Sequence, residues 1–84
     1  MTNEVVTAIH KPVEFTIDGQ PYQTTDRRQP AGAVLRLAGL DPGLFDLGQL
    51  RGQRPEPVRY ADDETVVIQP SARFVSIRQR ADVA

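Results

Sequence analysis

Val13-Glu14-Phe15-Thr16-Ile17-Asp18-Gly19-Gln20-Pro21-Tyr22-Gln23-Thr24-Thr25 is the stretch on which the reading of the fold turns. Val13, Phe15 and Ile17 alternate with Glu14, Thr16 and Asp18, the period of two that places successive side chains on opposite faces of a strand and buries one face only. Asp18-Gly19 is then the commonest short hairpin signal, because both central positions of the tight turn take positive φ. Tyr22-Gln23-Thr24-Thr25 resumes with strand-favouring residues, so the stretch predicts a β-hairpin.

Downstream the period changes. Pro30 is preorganised for the first position of a helix, and Ala31, Val34, Leu35 and Ala38 recur at the three-and-four spacing of one helical face. Gly39 ends the helix after about two and a half turns at 3.6 residues per turn, and Leu40 folds back before Asp41-Pro42-Gly43 turns the chain. Leu44 to Leu50 is the next strand, interrupted by Gly48, which marks a bulge or a close backbone contact. Arg51 to Pro57 is a polar loop, and Val58-Arg59-Tyr60 a short edge strand after proline. Asp62-Asp63-Glu64 is a solvated turn. Thr65 to Ile68 and Arg73 to Arg78 close the pattern as strands, separated by the break Gln69-Pro70-Ser71-Ala72. The buried phases of these elements converge on a core of Phe15, Ile17, Val34, Leu35, Leu47, Ile68 and Phe74.

Upstream, residues 1–11 show no sustained apolar period before Pro12 and read as a flexible leader carrying a solvated His10. The domain then spans 12–78, and Gln79 to Ala84 form an extended C-terminal tail, since the apolar pattern stops at Ile77. At 84 residues a second independent core would have almost nothing to bury. A sheet covered by one amphipathic helix, in the order hairpin, helix, shorter strands and a good last strand, is an α+β fold of the β-grasp type.

The residues argue against several chemistries. The chain has no cysteine and one histidine, so thiolate sites and disulfides are excluded, and neither Ser71 nor Ser76 has a base nearby in sequence. Asp62, Asp63 and Glu64 lack the alternating oxygen ligands and central glycine of a calcium loop. Gly39, Gly43, Gly48 and Gly52 lack the spacing of a phosphate-binding loop. No cofactor is expected. A formal net charge of −1 gives no field that collects nucleic acid, and no run is long enough to span a membrane, so a cytoplasmic protein is expected.

Phe15-Thr-Ile-Asp-Gly-Gln-Pro-Tyr-Gln, Ala31-Gly-Ala-Val-Leu-Arg-Leu-Ala-Gly-Leu-Asp-Pro and Arg73-Phe-Val-Ser-Ile, in that order, resemble the prokaryotic multiubiquitin family of ubiquitin-like domains over about Val13 to Arg78. The resemblance implies a ubiquitin-like β-grasp with a mixed sheet of four to five strands on one helix. It also implies a modifier attached to target proteins through its tail: Gln79, Arg80, Ala81, Asp82, Val83 and Ala84. The implied partners are an activating-enzyme homologue, a conjugating-enzyme homologue and a deubiquitinase-like metalloprotease. The tail departs from familiar modifiers in lacking a terminal diglycine. A β-grasp interaction module that is never conjugated, or a sulfur carrier, uses the same fold. In ubiquitin-like domains the open sheet face docks partners, which here points to Leu50 as an apolar centre with Arg51 and Arg78 as its rim; Leu50 fits a core position equally well.

Overall fold

The computed structural model of the protein describes residues 11–79. Of the leader expected over 1–11 only Lys11 is among them, and residues 80–84 of the expected tail lie outside them. β1 (Val13–Ile17) and β2 (Gln20–Thr24) form the hairpin, closed by Asp18 at φ 53° and Gly19 at φ 81°, the positive pair a two-residue I′ turn requires. β2 starts two residues earlier than the sequence suggests. Ile17 and Gln20 close the turn and Thr16 faces Pro21. In an antiparallel ladder the pair after the closing pair is not hydrogen-bonded, so the missing proline N–H is no loss to the hairpin.

Arg28–Pro30 forms a short β3, and Pro30 ends it as the N-cap of α1 (Ala31–Leu37), with ψ 147°. This corrects the expectation that Pro30 is the first helical residue: it pairs with Thr65 in an extended conformation. The seven-residue helix is nearer two turns than two and a half. No side chain caps its start. The N–H groups of Ala31 and Gly32 instead donate to the carbonyls of Glu64 and Asp62, each at 2.9 Å, satisfying donors that a helix start leaves orphaned. A side chain on Gly32 would place its Cβ 3.3 Å from that Asp62 oxygen, so the close approach favours glycine. At the other end Gly39 (φ 74°) donates to Arg36 and Leu40 to Leu35, the paired bonds of a Schellman cap.

β4 (Phe45–Leu50), β5 (Val58–Tyr60), β6 (Thr65–Val67) and β7 (Ala72–Arg78) complete the elements. The main sheet has the order β2-β1-β7-β4-β5, with β1 parallel to β7 and the other neighbours antiparallel. β3 and β6 pair separately, so the Thr65 strand joins a two-stranded ladder instead of the main sheet. The result is a small α+β structure, one helix on a mixed five-stranded sheet among the described residues, compatible with a β-grasp. All seven expected core residues are buried, joined by Val13, Ala31, Val66 and Ala72. Phe15 and Phe74 meet edge to face across the parallel pair, their centroids 5.9 Å apart, an arrangement that adds about 1 kcal/mol beyond the area buried. No described helix is long and apolar enough to cross a membrane.

Candidate functional site

Strand alternation sorts the sheet into two faces. Leu47 and Gln49 are buried on the helix side, so Asp46, Gly48 and Leu50 fall on the open side. Through the register the open face also takes Arg73, Val75 and Ile77 from β7, Arg59 from β5, and Glu14 and Thr16 from β1. Gly48 is the floor of this face. A Cβ built there would lie 2.7 Å from Ile77 Cδ1, 3.1 Å from Pro57 Cβ and 3.2 Å from Val75 Cγ2, so three apolar side chains close over the position that lacks one. Gly48 is thus a site of close side-chain cover and no bulge: the β4–β7 register is continuous through it. Leu50 is half-buried beside this cluster and faces Arg73. It is absent from the buried core.

Arg51 and Arg78 do not join Leu50. Arg51 turns to the opposite side, its Nη2 3.5 Å from Gln49 Oε1 and 3.4 Å from the Tyr60 hydroxyl. Arg78 lies across from Phe45 with its guanidinium 6.0 Å from the ring centroid. The cause is the period of two, which sends adjacent residues 50 and 51 to opposite faces and gives Arg78 the phase of Phe74. The charged residues that border the apolar centre are Arg73, Glu14 and the pair Asp46–Arg59, whose oxygen and nitrogen stand 3.7 Å apart. Sequence reasoning missed Val75 and Ile77 as open-face residues; their phase opposite to Phe74 carried the signal.

On the helix side Gln49, only 7% exposed, is a polar residue at a core position. The Tyr60 hydroxyl donates to its Oε1 at 2.8 Å, which offsets the cost of burying the amide. These two line a shallow hollow with Arg51, Thr65, Val67 and Gln69.

The chain end departs most from expectation. Gln79, read as the first residue of a free tail, is half-buried and built into the fold. Its N–H donates to the Leu44 carbonyl at 2.9 Å. Its Nε2 reaches the Pro42 carbonyl at 3.0 Å, the Phe45 carbonyl at 3.3 Å and Asp46 Oδ1 at 3.0 Å. The apolar pattern does stop at Ile77, but an amide side chain that docks through hydrogen bonds leaves no mark on a hydropathy pattern. The other residues named for the tail, 80–84, lie outside the described residues.

The remaining candidates have structural roles. The Ser76 hydroxyl donates to Asp18 Oδ2 at 2.6 Å and its N–H to Oδ1 at 2.9 Å, a clamp between the hairpin and β7. Ser71 is exposed with φ 66° and its N–H donates to the Glu14 carbonyl. Asp62 and Glu64 present backbone carbonyls to the helix start, and among the described residues no group of three or more His, Cys, Asp or Glu is placed to hold a metal. No family model, curated protein or solved structure matches the chain.

Proposed function

We propose that this chain is a ubiquitin-like β-grasp domain that serves as a protein modifier in a bacterial cytoplasmic conjugation system, attached to its targets through residues that follow Gln79. The observation that carries the reading is the position of β7. β7 runs in the middle of the sheet, parallel to β1, and the residue that follows it, Gln79, is held in a fixed place by Pro42 and Asp46. A rigid body with a defined exit suits an enzyme that must bring a carboxylate into line for attack. In the first step a carboxylate oxygen at the tail would attack the α-phosphorus of ATP and release pyrophosphate. The activating-enzyme homologue catalyses this step, the conjugating-enzyme homologue receives the activated chain, and the metalloprotease homologue trims or removes it.

The test is ATP–pyrophosphate exchange with an activating-enzyme homologue encoded beside the gene. Exchange is expected with the intact chain and not with the chain truncated after Gln79. No exchange and no denaturant-resistant adduct, even after treatment with the metalloprotease homologue, overturns the reading.

The open face supports a second reading, a binding module that is never attached. Ile77, Val75, Pro57 and Leu50 form an apolar centre with a charged border, the composition of a small docking surface. A partner whose affinity falls on Leu50→Ala but not on truncation after Gln79, in the absence of any adduct, favours this module.

A further inference from the structure

We propose that Gln79 is a latch: its side chain ties the end of β7 to residues 42–46 and shields the Arg78–Gln79 peptide bond from proteolysis. The proposal holds whether the chain is attached to targets or only binds them. β7 ends at Arg78, yet the next residue, Gln79, is held by both its backbone and its side chain. One bond is from its backbone to Leu44, and three contacts run from a single amide nitrogen to Pro42, Phe45 and Asp46. All four acceptors belong to residues 42–46, two in the turn that leads from α1 into β4 and two at the start of β4 itself. An amide nitrogen carries two hydrogens, so two of the three contacts can be full bonds at once and the third is shared. Glutamine suits this place because its amide donates without bringing a negative charge beside Asp46. Arg78, one residue earlier, is itself laid against the Phe45 ring. The latch therefore holds both sides of the Arg78–Gln79 bond against the same short segment, residues 42–46, and a protease must open these contacts to bind that bond in extended form.

Asp46 is the shared element. Its Oδ1 accepts from Gln79, while its Oδ2 faces Arg59 Nη1 at 3.7 Å on the open face. The hydrogen bond requires an oxygen at this position and not a charge, so an asparagine can replace the carboxylate.

Limited trypsin digestion of the full chain, with each cleavage followed by mass spectrometry, tests the latch. Gln79→Ala and Asp46→Ala are expected to raise cleavage after Arg78 about tenfold, in keeping with the loss of hydrogen bonds that hold a local opening closed. Asp46→Asn and Arg59→Ala are expected to stay near the wild-type rate. Cleavage after Arg36 and Arg73, inside the helix and in the central strand, reports global unfolding. The proposal is overturned if Gln79→Ala leaves the Arg78 rate unchanged, if that rate rises only in proportion to the Arg36 and Arg73 rates, or if Asp46→Asn opens the bond as much as Asp46→Ala. Should a variant unfold, exchange of the Gln79 side-chain amide hydrogens in the folded wild-type chain decides. Exchange at least tenfold slower than in an unstructured peptide supports the latch, and exchange at the peptide rate refutes it.

Discussion

Asp18 and Ser76, 58 positions apart, share two hydrogen bonds, one from the backbone and one from the hydroxyl of the serine to the two oxygens of the carboxylate. The carboxylate sits on a residue already in the left-handed region, φ 53°, so one residue both turns the hairpin and ties it to β7. Ser76→Ala removes the hydroxyl bond alone and should cost about 0.5–1.5 kcal/mol. Asp18→Ala removes both bonds and places a residue poorly suited to positive φ in the turn, and should cost about 2–3 kcal/mol. Urea unfolding of the two variants checks the order, and an equal loss in both would place the energy in the hydroxyl bond alone.

Gly48→Ala should destabilise by about 1–2 kcal/mol, because the new methyl meets Pro57 Cβ at 3.1 Å and Val75 Cγ2 at 3.2 Å and forces Ile77 Cδ1, at 2.7 Å, to swing aside, an overpacked position. Ile77→Val deletes the nearest atom. The double variant should therefore lose less than the sum of the two single losses, a coupling that thermal melts of the four proteins resolve.

Leu35→Ala should cost about 2–5 kcal/mol, since Leu35 is fully buried between helix and sheet and the gap cannot collapse without moving α1. Calorimetry that showed no loss would mean that this face of the helix is not what holds it to the sheet.

Truncation after Gln79 should leave the melting temperature nearly unchanged, whereas truncation after Arg78 should lower stability by about 1–3 kcal/mol through the lost turn contacts. Equal melting of both truncations would count against a structural role for Gln79.

The elements whose cause is apolar periodicity were legible. Phe15 and Ile17, Val34 and Leu35, and Phe74 announced their strands and helix, and Asp18-Gly19 announced its turn. Polar residues with tertiary duties were not. Gln29 is buried in β3 because its amide donates to Thr24 Oγ1 and the Asp26 carbonyl, and no apolar neighbour flags that strand. Pro30 has the φ of a helix start and of a strand end alike, and the pairing with Thr65 decided between them. In the candidate site, Leu50 was named from the sequence as fitting the open face or the core equally, and its neighbours Val75 and Ile77 come from another strand. Only the register reveals which residues of two strands share a face.

The central place of the last strand also bears on how the protein is made. Without β7 the main sheet splits into two hairpins, β1–β2 and β4–β5, and isolated hairpins are marginal in water. A ribosome releasing this chain from its amino end therefore leaves the two hairpins without the strand that joins them until the residues through Phe74 have emerged. The order of synthesis and the order of the sheet run against each other, since the long-range pairings that join the two hairpins wait for the strand made after both of them.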